Sequence, residues 1–549
     1  MLKPVKTLMN SISHTLFVPL VILLILTFAP MRSAAQGRNE ALRKLQMAEF
    51  AIAHLYVDTV NEQRLVEEAI IRMLAQLDPH SSYSNPEETR ELNEPLQGNF
   101  EGIGVQFQMI EDTLLVIQPV SGGPSQRVGI LAGDRITAVN DTLIAGVKMS
   151  TDEIMRRLRG PKGTRVELTV IRRELPEPLR FPVVRDKIPI HSLDAAHMLS
   201  PGIGYIRINR FAQDTPSEFI AALKQLQAQG LRDLVLDLQG NGGGYLNAAI
   251  ELANQFLPQR SLLVYTKGRA DRRNDFHARG GGAFQQGRLV VLVDEYSASA
   301  SEILAGAIQD HDRGIIVGRR TFGKGLVQRP IDLPDGSMIR LTVSRYYTPA
   351  GRCIQKPYDN QAPGDEMLSR YHLDLVNRLN RGELIHADSI RFADSLKVQT
   401  LRLGRTVYGG GGIMPDYFIP LDTARYTPYH RRCLAAGIFN QTVASYIEHH
   451  RSPLQRRYKQ FATFNQKFQV DESLLSDFRQ RAEKAGIPYD QTQYDRSQAL
   501  IALQLKALLA RDLWDMNEYF AVMNASNASV QQAVKVLTDG FYEQQLQDL

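Results

Sequence analysis

Ser299 combines a reactive group with the local sequence that nucleophilic catalysis requires. It lies in VDEYSASASEILAG, residues 293–306, where a buried strand ends, small residues permit a sharp turn and a helix begins. Amides and the dipole at the start of a helix stabilise a developing oxyanion, so this segment predicts a serine nucleophile. A capping box formed by Ser299 and Glu302 explains the same residues without catalysis. This segment alone does not decide between the two interpretations.

Lys324 is the second candidate, between two glycines in RRTFGKGLVQ, residues 319–328. A lysine that acts as a general base must be neutral. Lowering its reference pKa of about 10.4 by about three units costs roughly 4 kcal/mol. Gln328 lies four residues further on, where its uncharged amide can orient the amine. The competing interpretation is a solvated surface lysine, which is the commoner fate of this residue type.

A third segment, DLQGNGGGYL at residues 237–246, supplies candidate oxyanion donors. Consecutive glycines can turn their amides into a common cavity. One of these N–H groups, paired with the amide of Ala300, would form an oxyanion hole. Gly243 and Gly244 are both candidates at this point, and a tight turn explains the glycines equally well.

The elements around these segments alternate between strands and helices over residues 186–420. LVLDL, LVVLV and GIIVG are the short buried strands that precede the glycine, serine and lysine segments. Such alternation predicts an α/β core with largely parallel strands, whose chemistry lies in loops at the carboxyl ends of the strands. Residues 39–98 have helical spacing, and residues 100–173 have strand-like runs that end with RVELTVIRR. The tail beyond about residue 430 predicts an accessory helical domain for docking or dimerisation.

Composition excludes several classes of function. The net charge is +5 over 549 residues, with no basic stripe interleaved with aromatic residues, so no nucleic-acid partner is expected. Only Cys353 and Cys433 are present, which is too few for a disulfide framework or a four-cysteine zinc site. Whether the two cysteines pair stays open. No metal ion and no organic cofactor is expected.

The first 36 residues have the pattern of a secretory signal peptide. Lys3 and Lys6 precede an apolar run over residues 16–29, and the small residues at 33–35 suit cleavage near Gln36. The alternative is an uncleaved membrane anchor, although about 14 apolar residues do not comfortably fill a bilayer. We therefore expect an exported protein of the periplasm or cell envelope, bound to a membrane only if this segment is retained.

Taken in chain order, these segments resemble the carboxyl-terminal processing protease family of serine peptidases. The resemblance covers about residues 75–420. Its further landmarks are LDPHSSY at 77–83, FEGIGVQF at 100–107, YYTPAGRCI at 346–354 and GGGIMPD at 410–416. It implies a multidomain α/β protein in which a PDZ domain is inserted before the protease core. The predicted parts are a signal peptide (1–36), a helical region (37–98), a PDZ domain (99–175), a protease core (176–425) and a C-terminal helical domain (426–549).

The resemblance also assigns roles to single residues. Ser299 matches the family's nucleophile, Lys324 its lysine base and Gln328 the residue that orients the lysine in many members. In other members an acidic residue, which would match Asp310, takes that third role, and Glu302 matches another polar position. The remaining site residues are expected to be the oxyanion donors Ala300 and Gly243, and the peptide-binding turn Gly102, Ile103, Gly104 and Val105.

The expected substrates are proteins or peptides with apolar, flexible carboxyl termini. The PDZ turn would hold the terminal carboxylate while the peptide adds as a strand beside VQFQM. Arg159 would sense the bound peptide, or is an ordinary surface charge. The helical regions are expected to support a homodimer. No cofactor is implied.

Three alternatives compete with this interpretation. The first is a nucleotide site at GRRTFGKG, residues 318–325, which lacks the Ser or Thr and the helix that should follow. The second is a histidine-based triad built on Asp310 and His311. The third is a PDZ adaptor that binds carboxyl termini without cleaving them.

Overall fold

The computed structural model describes residues 40–173, 175–270, 272–359, 361–362 and 364–547, so the predicted signal peptide lies outside the described residues. Two compact units divide at Leu77 and Asp78. The described part of the first unit consists of helix α1 (residues 40–55) and helix α2 (Glu62–Ala75), as the helical spacing predicted. Asn61 caps α2 by accepting the Arg64 amide at 3.0 Å.

The second unit contains all the strands of the described chain. In chain order they are β1 (Ser82–Ser84), β2 (Asn99–Gly102), β3 (Val105–Ile110), β4 (Thr113–Pro119), β5 (Arg135–Val139), β6 (Thr142–Leu143), β7 (Arg165–Ile171), β8 (Leu179–Val184), β9 (Asp186–Pro189), β10 (Leu193–Ser200), β11 (Ile203–Ile208), β12 (Asp233–Asp237), β13 (Leu262–Gly268), β14 (Asn274–His277), β15 (Leu289–Val293), β16 (Ile315–Gly318), β17 (Leu326–Asp332), β18 (Met338–Tyr347), β19 (Lys397–Gln399), β20 (Thr406–Tyr408) and β21 (Tyr417–Phe418).

The same unit contains the remaining α-helices. They are α3 (Pro86–Gln97), α4 (Pro124–Arg127), α5 (Thr151–Leu158), α6 (Thr215–Ala228), α7 (Leu246–Ala253), α8 (Ala300–Asp310), α9 (Gly364–His372), α10 (Asp374–Asn380), α11 (Pro428–Ala435), α12 (Ile438–Arg457), α13 (Phe461–Lys467), α14 (Glu472–Lys484), α15 (Gln491–Leu513), α16 (Met516–Met523), α17 (Ala528–Thr538) and α18 (Phe541–Gln547).

A six-stranded sheet forms the centre of the fold, in the order β10-β11-β12-β15-β16-β21. Every neighbouring pair is parallel except β10 and β11. Strands β12 and β15 are buried along their whole length, as continuous apolar strands of a covered parallel sheet should be. Because β12, β15 and β16 are adjacent and parallel, the loops that follow them meet at one edge of the sheet. This arrangement brings the glycine, serine and lysine segments together.

Helices cover both faces of the central sheet. Helices α6, α7 and α8 pack on one face, where Phe219, Leu252 and Leu304 join the core. The other face is covered by α17 and α18 through Val536 and Tyr542. The end of the tail is therefore a layer of the protease core rather than part of a separate accessory domain. Helices α11 to α16 share a second apolar core, which lies within the helical domain predicted for residues 426–549, and α16 also contacts β10 through the Ala196 amide, which donates to Asn517 at 2.9 Å.

The chain continues from the lysine segment into a second sheet, which the sequence pattern did not predict. Its order is β1-β18-β13-β14, with β17 also paired to β18. The chain runs from the lysine loop into β17, so the strand-like LVQRPID is strand and not the helix that a nucleotide-binding loop needs. The long strand β18 of this sheet lies next to the serine and lysine segments.

The PDZ domain is built on the sheet β3-β4-β5-β7-β8, with β6 beside β5. The sequence placed its last strand at RVELTVIRR, which is β7. The sheet continues with β8, which pairs antiparallel with β7, so the domain extends to Val184 and not to residue 175. The burial of β8 alternates regularly, but two of its exposed positions are the apolar residues Pro182 and Val184, so the sequence LRFPVV lacks the polar/apolar alternation that predicts a strand.

Candidate active site

Ser299 occupies the sharp turn between β15 and α8. Its backbone has φ 56° and ψ −112°, a region that residues with a side chain rarely adopt. Such strain persists only where surrounding contacts hold it, and it is concentrated at functional sites. The Ala298 amide before it donates to the Asn241 carbonyl at 3.0 Å. Within the described residues the Ala300 amide donates no hydrogen bond, so it is free to serve as an oxyanion donor.

The backbones of Ser299 and Lys324 share two polar anchors. Oε2 of Glu302 accepts the Ser299 amide at 2.9 Å and the Lys324 amide at 2.8 Å. The two nitrogens are thus no further apart than the sum of these distances. The Tyr346 hydroxyl lies within hydrogen-bonding distance of the Ser299 carbonyl, at 3.1 Å, and of the Lys324 carbonyl. The fold therefore holds the two predicted catalytic residues side by side.

Glu302 links the serine and lysine segments from a fully buried position. Its Oε1 accepts the Thr321 hydroxyl at 2.5 Å and the Gly323 amide at 2.8 Å. No cation pairs with this carboxyl within the described part of the chain. Burial raises the pKa of Glu302 to about 7, although its hydrogen bonds oppose the rise. The predicted cap at Ser299 is present, and the same glutamate also binds the lysine loop.

Burial lowers the pKa of Lys324, and the charge of Arg340 acts in the same direction. Glu302 and Asp78 oppose this shift. The net direction is the one that a lysine base needs, because only the neutral amine can accept a proton. A surface lysine, the competing interpretation, is not what the structure contains.

Gln328 does not have the partner that was expected for it. It lies on β17, and its amide nitrogen is 3.4 Å from the Thr342 hydroxyl, which in turn donates to Asp78 at 3.0 Å. The side chain makes no hydrogen bond to Lys324 among the described residues. The pairing of β17 with β18 shifts register between Val327 and Gln328, so simple i, i+4 spacing does not describe this strand.

The glycine segment approaches the nucleophile closely. Gly243 has φ 102°, and a Cβ placed on it would lie 2.8 Å from the Ser299 Cβ and 3.0 Å from the Ala300 nitrogen. Its amide, the predicted second oxyanion donor, instead donates to Asn241 Oδ1 at 2.9 Å. The Gly244 amide has no acceptor within the described residues. Of the two candidates left open by the sequence, Gly244 is the one whose donor is unused.

Asp310 and His311 do not form a triad with the serine. The carboxylate of Asp310 binds Arg352 and accepts the Ala350 amide at 2.8 Å. The His311 ring pairs with the carbonyl of Leu262 at 2.7 Å. Asp310 is therefore a structural anchor at the far end of α8 and not the partner of Lys324.

Two contributors to the site escaped prediction. Asn241 is buried, and its carbonyl also accepts the Ser301 hydroxyl at 2.9 Å, so it ties the glycine segment to the start of α8. Its place in GNGGG, beside the candidate oxyanion donors, was the available signal. Tyr346 lies on β18 and is only 1% exposed. Nothing in the sequence of β18 indicates that one of its tyrosines binds the carbonyls of two distant residues.

A cleft of about 890 Å³ lies beside the glycine segment and β17. It is lined by Tyr245 and Leu246 from the glycine side, and by Val327, Gln328 and Val343 from the two paired strands. Its walls combine apolar side chains with the edge of β17, which is suitable for an extended peptide.

The predicted peptide-binding turn lies at the start of the PDZ sheet. Gly102 ends β2 opposite Asp186, and Val105 begins β3 opposite Pro119. The amides of Ile103 and Gly104 donate no hydrogen bond within the described chain. Strand β3 is an edge strand, so a peptide can add beside it. Arg159 pairs with Glu94 at 2.8 Å and lies over the ring of Phe100, so it bridges the PDZ domain and α3.

The described residues contain no cluster of three or more histidine, cysteine or acidic side chains able to hold a metal ion. Cys353 and Cys433 are both free. A search of the same residues finds no helix whose length and apolarity would let it span a bilayer.

Four family models match parts of the chain. Peptidase family S41 matches residues 202–360, and a PDZ domain family matches 115–172. The N-terminal domain of the activating protease CtpB matches 27–89, and a family of unknown function, DUF8443, matches 429–515. The carboxy-terminal-processing protease of Bartonella bacilliformis is 36% identical over 59% of this chain and 76% of its own length. That of Picosynechococcus is 38% identical over 61% of this chain and 86% of its own.

Among solved structures, the photosystem II D1 C-terminal processing protease is 30% identical. The match covers 59% of this chain and 97% of that protein, with a TM-score of 0.32.

Proposed function

The chain belongs to the carboxyl-terminal processing proteases, which are serine-type peptidases of family S41, and from that premise we propose that Ser299 is its nucleophile and Lys324 its general base. One observation carries the proposal. A single carboxylate oxygen of Glu302 accepts the amides of both residues, so the two segments cannot move apart without breaking buried hydrogen bonds.

In the proposed reaction, neutral Lys324 removes the proton from the Ser299 hydroxyl as its oxygen bonds to the scissile carbonyl carbon. The electron pair of the carbonyl moves to its oxygen, which the amides of Ala300 and Gly244 stabilise. The carbon–nitrogen bond then breaks, and the Lys324 ammonium returns the proton to the leaving amine. Water hydrolyses the acyl-enzyme by the same route. Apart from this water, every group in the reaction belongs to the chain or the substrate.

Substitution tests the proposal directly. Lys324→Ala and Ser299→Ala should each lower kcat for a peptide substrate by about 10³-fold or more, because each removes one half of an interdependent pair. Lys267→Ala, on β13, is a control that should retain activity. Near-normal turnover by a folded Lys324→Ala enzyme would refute the lysine mechanism. Peptide binding without turnover in the unaltered chain would instead favour the PDZ adaptor.

We also propose that the PDZ turn captures the substrate's terminal carboxylate. The unused amides of Ile103 and Gly104 and the free edge of β3 support this role. A protein substrate with an apolar, flexible tail should lose about tenfold in kcat/KM when its terminal carboxylate is amidated, since amidation removes the charge. Equal cleavage of the free and amidated forms would contradict capture by this turn.

Export is the remaining part of the proposal, with the first 36 residues acting as the leader. The support is the charge and hydropathy pattern at the amino terminus. Fractionation of expressing cells, with sequencing of the mature amino terminus, tests export and retention of the leader as a membrane anchor.

We further propose that the helical regions form a homodimer, because α1 exposes Met47, Phe50 and Leu55. A monomer by light scattering at micromolar concentration would contradict it.

A further inference from the structure

Helices α9 and α10 lie directly behind the loop that carries Lys324. The loop, residues 320–325, makes backbone contacts with the segment that follows β18, where the Lys356 amide donates to the Gly323 carbonyl at 2.9 Å. Oε1 of Gln355 accepts the Gly325 amide at 2.8 Å. The position of the lysine backbone is thus set from this side as well as by Glu302.

Arg378 on α10 makes the deepest of these contacts. It is 2% exposed, and its guanidinium donates to the Thr321 carbonyl at 3.1 Å and to the Arg320 carbonyl at 2.6 Å. The nearest carboxylate, of Glu383, is 3.8 Å away. Burial lowers the pKa of Arg378 to about 10. Burying a guanidinium costs free energy, and here its hydrogen bonds go to two carbonyls of the loop. An arginine that served only as a surface charge would not be buried in this way.

Tyr371 on α9 holds the other end of the loop. Its hydroxyl contacts the His80 ring at 2.8 Å and the Gln355 amide nitrogen at 3.3 Å. Gln355 is the residue that accepts the Gly325 amide. Burial lowers the pKa of His80 to about 3, and the charge of Lys324 acts in the same direction. Because the His80 ring is neutral near pH 7, it adds no charge that would shift the pKa of Lys324.

We propose that Arg378 and Tyr371 are positioning residues for Lys324, which fix its loop against Glu302 so that the amine stays buried beside Ser299. The proposal rests on the proposed lysine mechanism. It deepens that mechanism by assigning a catalytic purpose to α9 and α10, which lie beyond the residues that match family S41. The charged and titratable groups that face Lys324 are Glu302 from α8, Arg340 from β18, and Asp78 and His80 from the segment before β1.

Kinetics of full-length variants test this proposal. Arg378→Ala should lower kcat about 10²-fold with little change in KM, because a loosened loop misplaces the base without altering the cleft. The acid limb of its pH–rate profile should move about one unit to higher pH, as the lysine gains water. Arg378→Lys should recover part of kcat, and Tyr371→Phe should lower kcat about tenfold.

Arg370→Ala is the matched control, since this arginine on α9 is 63% exposed and pairs with Glu366 and Asp359 rather than with the loop. It should leave both kcat and the pH profile unchanged. An Arg378→Ala enzyme that loses activity only in proportion to its unfolded fraction, with an unmoved acid limb, overturns the proposal. That result is distinct from failure of the lysine mechanism, which is tested by Lys324→Ala alone.

A second observation concerns α12, which lies within the region of unknown function at 429–515 and contacts the PDZ domain. Glu448 forms a two-pronged ion pair with Arg135 of β5, at 3.2 and 3.0 Å. Arg451 donates to the Ile117 carbonyl of β4 at 3.2 Å and to the Asp512 carbonyl of α15 at 2.9 Å. Ala444 is buried against three apolar PDZ side chains, Ile110, Leu115 and Ile117.

From these contacts we infer that the helical region at 429–515 is a platform that fixes the PDZ domain relative to the active site. This inference also rests on the proposed function. Other helices of the same C-terminal tail cover the central sheet, so one continuous structure contacts both the protease core and the PDZ domain. The orientation of the peptide-binding turn is then set by α12 rather than by the two PDZ connections alone.

Charge reversal separates this role from simple stability. Glu448→Arg should lower kcat/KM about tenfold for a protein substrate with a free carboxyl terminus. It should leave a short peptide, which cannot span both sites, unaffected. The double variant Arg135→Glu/Glu448→Arg should restore at least half of the loss, since the pair is re-formed in reverse. An equal loss for both substrates, or no loss for either, overturns the inference.

Discussion

The two ends of helix α8 hold buried carboxyl groups in opposite ways. At its start, Glu302 accepts four hydrogen bonds from neutral donors and has no cationic partner in the described residues. At its end, Asp310 is paired with Arg352, and neither side chain is exposed to solvent. Both groups join α8 to later segments of the chain, yet only Asp310 has its charge compensated by an ion pair.

The difference follows from what lies beside each group. An ion pair is a good cross-link where no proton has to move, and Asp310 serves only to hold the YYTPAGR turn. Close to Lys324, a guanidinium paired with Glu302 would keep that carboxyl ionised, and its negative charge raises the pKa of the lysine, whereas amides and a hydroxyl bind the carboxyl and still let it take up a proton. The pKa of about 7 for Glu302 shows how weakly its charged form is favoured. The uncompensated carboxyl thus lies at the end of the helix that carries the proposed catalytic residues.

The largest expected effect comes from breaking the ion pair. Asp310→Ala should lower the free energy of unfolding by about 3–5 kcal/mol, because it leaves the Arg352 guanidinium buried and unpaired. Replacing both residues, as Asp310→Leu/Arg352→Met, should cost less than the single change. Denaturant unfolding of both variants measures the difference. A double variant less stable than Asp310→Ala would mean that the pair contributes more than the cost of burying its charges.

The next largest effect concerns Glu302, the carboxyl without a cationic partner, and the dependence of stability on pH. The pKa of Glu302 rises from 4.5 to about 7 on folding, so the native state retains a proton that the unfolded chain loses. Stability from this group is present below pH 4.5 and is lost as pH rises through 7, by about 3 kcal/mol in total. Relative to Glu302→Gln, the unaltered protein should therefore become less stable by about this amount between pH 4.5 and 7.

Chemical denaturation of the two proteins at matched pH values gives this difference directly, and groups common to both cancel. The glutamine cannot accept all four donors, so the variant should also lose activity at every pH. A difference that stays flat across the range would show that Glu302 remains ionised throughout and that the two ends of α8 are more alike than the structure indicates.

Sequence patterns predicted the local contacts of α8 but not the contacts that its two ends make with distant segments. Buried strands such as LVVLV, and the turn into α8, are visible because hydrophobic runs and small residues are local signals. The predicted pairing of Ser299 with Glu302 was local for the same reason. The bond from Glu302 to the Lys324 loop, and that from Asp310 to Arg352, join residues that are 22 and 42 positions apart. No periodicity encodes such partners.

The same limit explains two features of the fold that the sequence did not predict. Helices α17 and α18 are amphipathic, and their pattern shows that one face is buried without showing which surface buries it. They were assigned to an accessory domain, although they cover the central sheet. The second sheet was not predicted because β1 and β13, which are far from β18 in the sequence, both pair with β18, and sequence periodicity does not reveal such partners.

The smallest effect concerns Tyr346, which joins the two segments at the catalytic end of α8 without any charge. Its hydroxyl donates to only one of the two carbonyls at a time, so Tyr346→Phe should cost about 1 kcal/mol of stability. The backbones of Ser299 and Lys324 remain joined by Glu302, and kcat should therefore fall only about tenfold. Steady-state kinetics and unfolding measure the two effects. A loss as large as that of Lys324→Ala would show that the hydroxyl, rather than the carboxyl, is the main support of the pair.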